Sequence, residues 1–262
     1  MIRGLYTAVS GLITQEAKID VITNNMANIN TNAFKGDDLK VKKFSDVLVQ
    51  SYDRQKGPNS ARVNIGSLSQ GSRIDETDTS YEQGLLQETG TQTDFALDGR
   101  GFFTVLRNNG TATQKYYTRD GHFHVNSTGL LVNDAGDSVL DTQGNTINVG
   151  NNKFTCDASG NIKVGNNNLT KLSVVDFNTT QNLNTAYSNL IKDGDNLYRT
   201  SSAPQISTAG VKQNNLEKSN VNITSQMVDM MTTMRTFEAD QKVVQAFDQT
   251  LGKTVNEVGT VR

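Results

Sequence analysis

The two ends of this chain share one apolar pattern, and the region between them has another. From Leu5 to Ile29, apolar side chains recur at alternating steps of three and four residues, and the same stepping returns from Ile223 to Val258. Side chains with this spacing lie along one face of an α-helix and are typical of a coiled-coil seam. The pattern therefore predicts a helix at each end, flanking a separate body.

Each of these apolar helix faces, called a stripe below, predicts a surface that packs against another helix. A helix from Leu5 to Ile29 is about 37 Å long, and its backbone entropy, about 1 to 2 kcal/mol per residue, is not offset by one apolar face alone. Charged side chains between Glu16 and Asp20 and between Arg235 and Asp240 argue against a membrane span, so we expect the missing partner to be protein. The predicted subunit-packing residues are Leu5, Leu12, Ile19, Ile22, Met26, Ile29, Ile223, Met227, Met230, Met234, Phe237, Val244 and Leu251.

The middle of the chain has the pattern of an antiparallel β domain. Residues 57–84 are rich in Ser, Gly, Gln and Asp and are interpreted as an extended connector. From Phe95 onward, short β-prone runs alternate with turns, and from Gly121 to Gly144 a glycine recurs every seven or eight residues. The predicted fold class is α+β, with terminal amphipathic helices pairing as a coiled-coil-like domain around a central all-β antiparallel domain. The predicted divisions are 1–34 with 220–262, a partly β connector 35–84, and a β domain 85–219.

Charge and cysteine content argue against some classes of function. A formal net charge of −2 over 262 residues argues against nucleic-acid binding, and the Lys40, Lys42 and Lys43 cluster is interpreted as a solvated face. Cys156 is the only cysteine, so no internal disulfide can form, and we interpret it as a small buried hydrophobe. Polar residues interrupt the N-terminal stripe too early for a secretory signal core. We therefore expect any export to proceed without a cleaved signal peptide.

No arrangement of residues points to catalysis. His122 and His124 would share one face of a strand, with Asp120 or Asp134 as a conceivable third metal ligand, but half-exposed strand and turn residues explain them better. Asp94 and Asp98 have the residue type of a glycosidase pair, yet Asp98 lies in a turn signal. We predict no enzyme activity, no catalytic residues, no metal and no cofactor.

Several motifs resemble those of bacterial flagellar rod and hook axial proteins. The segment from Thr23 to Lys35 resembles their N-terminal signature, although Ala33 stands where the family usually has glycine. The segments 84–89, 94–103, 117–123 and 216–222 resemble further motifs in the same order, and 234–239 resembles a C-terminal run. The motif residues are Asn24, Asn25, Ala27, Asn28, Thr31, Phe34, Lys35, Asp98, Gly99, Gly101, Phe102, Phe103, Ser219, Asn220 and Val221.

The resemblance implies a structural subunit of the basal-body rod, which polymerises helically into the shaft that transmits torque from motor to hook. It implies an extracytoplasmic location and, as partners, further copies of the chain, neighbouring rod and hook proteins and the flagellar type III export apparatus. Nucleic acid and direct membrane insertion are not expected. One alternative is a hook-type axial protein, which the short middle disfavours. The other is a peptidoglycan-binding or peptidoglycan-hydrolysing β domain with helical tails, which the lack of Trp disfavours.

Overall fold

The fold is α+β, with a helix near each end and a β-rich middle, as the sequence predicts. A computed structural model describes residues 2–51, 63–108, 113–150, 152–165, 167–177, 187 and 189–258. The chain divides into two compact units: unit 1 comprises Met1–Asn24, Asp37–Asp78 and Thr224–Arg262, and unit 2 comprises Asn25–Gly36 and Thr79–Ile223. The chain therefore crosses between the units four times.

Unit 1 contains the terminal helices and four strands from the segment predicted to be a connector. Helix α1 is Ile2–Ala27, and helix α2 is Ile223–Lys253, followed by a π-helical turn at Thr254–Val258. Strand β1 (Asp37–Lys43) pairs with β4 (Ser72–Thr79), and β2 (Val47–Ser51) forms an antiparallel pair with β3 (Val63–Leu68). Residues 52–62 of the predicted connector lie outside the described residues.

Helix α1 turns its predicted stripe away from solvent. Its members are buried or half-buried throughout, whereas Tyr6, Val9 and Ile13 on other faces are exposed. The Thr14 hydroxyl lies 3.3 Å from the Ser72 hydroxyl, which ties the helix to the start of β4. Amphipathic spacing thus selects the packed face of this helix.

Two glycines mark a close approach of α1 to α2. A Cβ placed on Gly4 would lie 3.0 Å from Cζ of Phe247, and one on Gly11 would lie 3.1 Å from Oδ2 of Asp240. Seven residues forward along α1 thus correspond to seven residues backward along α2. The two helices therefore run antiparallel where they meet.

Unit 2 is built from short strands. They are β5 (Leu86–Glu88), β6 (Phe95–Asp98), β7 (Phe102–Asn108), β8 (Thr113–Thr118), β9 (Phe123–Val125), β10 (Leu131–Asn133), β11 (Ser138–Val139), β12 (Phe154–Cys156), β13 (Asn161–Val164), β14 (Asn167–Lys171), β15 (Val174–Asp176), β16 (Ile191–Lys192), β17 (Leu197–Arg199), β18 (Gln205–Ile206), β19 (Gly210–Gln213) and β20 (Asn215–Glu217). The largest sheet has the order β16-β17-β8-β7-β11-β10-β9, with β15 pairing both β7 and β18. Smaller sheets are β12-β13-β14, β19-β6 and β20-β5.

A recurrent turn links strands of unit 2 and accounts for the glycine spacing in the sequence. In each case an Asn or Asp side-chain oxygen accepts a hydrogen bond from the backbone N–H four residues later. The glycine three residues after that Asn or Asp has φ between 81° and 86°, which L-residues rarely adopt. The turns are 126–129, 133–136, 141–144 and 157–160.

Two hydrophobic clusters fill unit 2. The larger includes Phe95, Phe103, Phe123 and Ile162, all fully buried. The second is aromatic and contains Tyr81, Phe102, Tyr117, Tyr187, Leu190 and Tyr198. The second cluster lies beside the site described next, because the Arg119 guanidinium lies 5.6 Å from the centre of the Phe102 ring.

Candidate functional site

A buried carboxylate joins three distant parts of unit 2. Oε1 of Glu217, at the end of β20, accepts hydrogen bonds from Nζ of Lys35 at 2.6 Å and from the backbone N–H of Gly84 at 2.9 Å. Its Oε2 accepts from Nη1 of Arg119 at 3.2 Å. The N-terminal motif, the start of the β domain and the returning C-terminal segment therefore meet at one side chain.

The site places two buried cations against one buried anion. The Lys35 and Glu217 side chains are fully buried, and that of Arg119 is 4% exposed. Burial lowers the pKa of Lys35; Glu217 opposes this effect, while the Arg119 charge adds to it, and the net shift is downward. Lys35 also donates to the Glu82 carbonyl at 2.5 Å, and Arg119 donates to the Gly99 carbonyl at 2.8 Å. These carbonyls disperse the excess positive charge.

Gly84 permits the backbones to approach closely at this site. A Cβ on Gly84 would lie 2.0 Å from the carbonyl oxygen of Lys218. Since no side chain fits in that space, glycine is required where β20 passes the strand entering at Leu86. This close approach lets the Leu85 carbonyl accept a hydrogen bond from the N–H of Lys218 at 2.9 Å.

Asn220 makes a second junction three residues beyond Glu217. Its Oδ1 accepts from the N–H of Gly36 at 2.9 Å, and its Nδ2 donates to the carbonyls of Ser80 at 2.8 Å and Glu82 at 3.2 Å. The N–H of Ser80 donates to the Gly36 carbonyl at 2.8 Å. We call Asn220, Gly36 and Ser80 the crossover junction. Within unit 2 it binds together residues adjacent to three of the four chain crossings.

The structure brings many predicted motif residues to these two junctions. The N–H of Ala33 donates to the Glu217 carbonyl at 2.8 Å, and the Phe34 carbonyl accepts from the N–H of Asn220 at 3.3 Å. A Cβ on Gly36 would lie 3.0 Å from Cγ2 of Val221. Ser219 accepts from the N–H of Val221 at 3.3 Å, and Gly99 and Phe102 contact Arg119.

Other motif residues lie elsewhere. Asn24 and Ala27 are exposed on α1, Thr31 donates to Oδ1 of Asn28, and Asp98 pairs with Lys212 at 2.7 Å. Phe103 belongs to the larger cluster. Glu217, Arg119 and Gly84 were within the quoted motifs but were not predicted as site residues, because nothing in the sequence relates 35, 119 and 217 in space.

The stripe on α2 faces solvent in part. Met230, Phe237, Val244 and Leu251 lie on the less exposed face, together with Gln226, Thr233, Asp240 and Phe247. By contrast Ile223, Met227 and Met234 are 46–48% exposed. The predicted packing of these residues between subunits stays a prediction.

The histidines form part of an ionisable cluster. Nδ1 of His122 lies 2.9 Å from Oδ1 of Asp94, and Oδ1 of Asp134 lies 3.8 Å from Nε2 of His122 and 3.7 Å from Nδ1 of His124. Burial lowers the pKa of His122, but the hydrogen bond to Asp94 and the charges of Asp134 and Asp120 outweigh it, so the net shift is upward. Burial also raises the pKa of Asp120 to about 6. Among the described residues, no group of three or more His, Cys, Asp or Glu side chains is arranged to hold a metal ion.

The remaining predicted features are structural. Lys40, Lys42 and Lys43 are exposed and pair with acidic residues, including Glu76 and Asp75 on β4. Cys156 is half-buried against the larger cluster, and burial raises the pKa of its thiol to about 12. Within the part of the chain that the structure describes, neither helix is both long and apolar enough to span a bilayer.

Terminal helices that expose apolar faces, a separate β body and a buried junction between the N- and C-terminal segments define a structural assembly subunit. Three family models match the chain. They are described as flagella basal body rod protein at residues 5–35, flagellar hook protein FlgE/F/G D1 domain at 96–176, and flagellar basal body rod FlgEFG protein C-terminal at 212–257. The chain belongs to the flagellar basal-body rod protein family.

Full-length relatives support the same family. The chain is 31% identical to the flagellar basal-body rod protein FlgG of Bacillus subtilis, covering 98% of this chain and 99% of the relative. It is 32% identical to FlgG of Borreliella burgdorferi, covering 96% and 97%, and 31% identical to FlgF of Caulobacter vibrioides, covering both chains fully. The chain is a structural subunit of the flagellar rod that assembles with itself and neighbouring rod and hook proteins. It is not an enzyme.

Proposed function

We propose that this subunit transmits torque by pairing its terminal helices with each other and burying their remaining apolar faces against neighbouring copies. The observation that carries the proposal is the exposure of large apolar side chains on both helices. Ile13 is 53% exposed on α1, and Met227 and Met234 are 48% and 46% exposed on α2. Exposed apolar patches of this kind mark association surfaces.

The chemistry of these faces suits a helical polymer. Fully burying one large apolar side chain is worth about 1.5 to 3 kcal/mol, so several partly exposed side chains supply a substantial driving force. Different faces of α1 and α2 are available, and contacts between unlike surfaces generate open helical filaments when the rotation from copy to copy does not close a ring. Methionine fills irregular contacts well because its side chain is unbranched and flexible.

The antiparallel approach of α1 and α2 supports a coiled-coil-like pair. The contacts at Gly4 and Gly11 are seven residues apart, as are those at Phe247 and Asp240. The less exposed face of α2 also steps by four and three residues. Regular seven-residue correspondence is the geometry of helices that pack along a heptad seam.

We propose that the buried junctions help to carry torque through the subunit. The chain passes between the two units at four places, and these crossings can carry load. Within unit 2, the crossover junction and the Glu217 carboxylate hold residues next to those crossings by hydrogen bonds and buried ion pairs. We propose that these junctions resist shear. We also propose export by the flagellar type III apparatus without a cleaved signal peptide, which the family resemblance supports.

Replacing Met234 with glutamate tests the polymer surface. Because Met234 is 46% exposed, we expect Met234→Glu to change the free energy of unfolding of the monomer by less than about 0.5 kcal/mol. A charge on a surface that becomes buried should abolish polymer formation and swimming. Thr236→Glu places the same charge on a different face of α2 and should assemble normally. Normal swimming of the Met234 variant would contradict the proposal.

The more buried stripe positions are less selective tests. Leu12→Asp and Phe237→Asp should also abolish polymer and motility while sparing the β body, but both residues are half-buried within the monomer. Electron microscopy of basal bodies from cells lacking this protein would show where the shaft stops. That endpoint would assign the position of the subunit along the rod.

A further inference from the structure

A hairpin from the part of the chain without recognised motifs contacts the N-terminal motif. Strands β16 and β17 pair antiparallel, with Ile191 opposite Arg199 and Lys192 opposite Tyr198. The turn between them is closed by a hydrogen bond from the N–H of Leu197 to the Gly194 carbonyl at 2.8 Å. Asn196 has a left-handed backbone, with φ of 54°.

Two side chains of this hairpin hold the segment from Asn32 to Lys35. Nζ of Lys192 donates to the Lys35 carbonyl at 2.9 Å and lies 5.1 Å from the centre of the Phe34 ring. Nδ2 of Asn196 donates to the Asn32 carbonyl at 2.8 Å. The hairpin therefore binds both ends of the four-residue segment from Asn32 to Lys35. The Lys35 side chain enters the buried Glu217 site.

The hairpin is firmly attached to the β body. Strand β17 pairs with β8, and the Thr118 hydroxyl donates to the Asn196 carbonyl at 3.0 Å. The Tyr116 hydroxyl donates to Oδ2 of Asp193 at 3.0 Å, and Arg107 pairs with Asp195 at 3.1 Å. A rigid platform of this kind can fix the position of a loop that contacts it.

The segment from Asn32 to Lys35 needs external support. Ala33 is in the left-handed region, with φ of 54°, and Lys35 must leave water to reach Glu217. Both features are unfavourable for an isolated chain. Hydrogen bonds to the Asn32 and Lys35 carbonyls, with a cation over the ring of Phe34, oppose those costs at the two ends of the segment.

We propose that the β16–β17 hairpin is a clamp that positions the Asn32–Lys35 segment for insertion of Lys35 beside Glu217, with Lys192 and Asn196 as its positioning residues. The clamp residues follow the segment by 157 and 164 positions, so local sequence preferences do not supply this support. The proposal concerns the folded single chain and does not depend on polymerisation.

Amide hydrogen exchange in the purified full-length monomer tests the clamp. The informative amides are those of Ala33, which donates to the Glu217 carbonyl, and Gly36, which donates to Oδ1 of Asn220. In the double variant Lys192→Met/Asn196→Gly we expect both to exchange about tenfold faster or more. Glycine at 196 retains the left-handed backbone and removes only the amide side chain.

Matched substitutions separate the clamp from general destabilisation. Lys171→Met removes an exposed lysine from β14, and Asn214→Gly replaces another left-handed asparagine, with φ of 61°. Both should leave exchange at Ala33 and Gly36 unchanged. As a single substitution in the parent chain, Lys192→Arg retains a hydrogen-bond donor and a cation near Phe34. It should therefore keep most of the protection at Ala33 and Gly36.

Two results would overturn the proposal. One is unchanged exchange at Ala33 and Gly36 in the double variant. The other is equal acceleration at the amides of Val105 and Tyr116 in the β7–β8 pair, because that pattern would mean that the whole body is loosened. Neither measurement requires a rod, so loss of the clamp proposal would leave the proposed rod assembly untouched, and the converse also holds.

Discussion

Ala33 shows how this chain accommodates an alanine at a position with a left-handed backbone. Its left-handed backbone costs about 1 to 2 kcal/mol for an L-residue. A glycine would lose about 0.5 to 1 kcal/mol through the entropy of the unfolded chain, and about 0.8 kcal/mol from the missing buried methyl group. The opposing terms nearly cancel. The left-handed conformation of Ala33 therefore strains the backbone but has little net effect on stability.

Glu217 should be the most sensitive residue of the buried site. Glu217→Gln leaves Lys35 and Arg119 buried without a counter-charge, so we expect a loss of about 3 to 5 kcal/mol in the free energy of unfolding. Lys35→Met leaves the neutral Arg119–Glu217 pair and should cost less, about 1 to 2 kcal/mol. Urea denaturation of the two variants checks the order. A larger loss for Lys35→Met would contradict this charge balance.

Asp120 should make stability depend on pH. Its pKa is raised by burial to about 6, so between pH 3.8 and 6 the folded chain binds more protons than the unfolded chain, and stability falls as pH rises through that window. Asp120→Asn keeps an acceptor for the N–H of His122, which lies 3.0 Å away. It should stabilise the protein by about 1 to 2 kcal/mol at pH 7 and have a much smaller effect at pH 4, where the carboxyl is protonated in the folded chain.

Comparison of urea denaturation at the two pH values tests Asp120. His122, Asp94 and Asp134 face it in both proteins, and loss of the Asp120 charge also removes one of the causes that raise the pKa of His122. Equal effects of Asp120→Asn at pH 7 and pH 4 would show that burial of the charge is not the cause. A destabilising effect at pH 7 would show that the carboxylate makes a favourable contact that outweighs its burial.

At the scale of elements, periodicity predicted the helices better than their packed faces. On α1 the predicted stripe is also the less exposed face, and Ile22 on this face is buried. On α2 the less exposed face shares Met230, Phe237, Val244 and Leu251 with the prediction but has Gln226 and Thr233 in place of Met227 and Met234. Apolar patterning cannot identify these positions, because a polymer subunit has apolar residues on two faces and only one packs within the chain.

Gly11 should set the distance between the two helices. Gly11→Leu would force a side chain against Asp240, and overpacking of this kind typically costs about 1 to 3 kcal/mol. We expect a lower melting temperature for the helical signal in circular dichroism. Gly252→Leu introduces the same side chain on α2 at a position where a Cβ meets no atom within 4 Å, so it should not lower that temperature. Equal melting of both variants with the parent chain would argue against the close approach.

At the scale of the whole molecule, the β turns were predictable and the junctions were not. A glycine every seven or eight residues indicates tight turns because each turn is local, as at Asn126–Gly129. The Lys35–Glu217 pair spans 182 residues, and Lys192 reaches Lys35 across 157. Family motifs marked Lys35 as important. Only the folded chain shows that the Glu217 carboxylate and the β16–β17 hairpin contact Lys35.

Assembly and stability should be linked through the terminal helices. In dilute monomer, α1 and α2 leave Ile13, Met227 and Met234 about half exposed, whereas β7 and β8 contribute to buried clusters. We therefore expect the helix amides to exchange much faster than those of β7 and β8 in the monomer. They should become protected in isolated basal bodies, where neighbouring copies cover the apolar faces. Rigid, fully protected helices in strictly monomeric protein would contradict coupling of helix order to assembly, because no stability would remain for neighbouring subunits to supply.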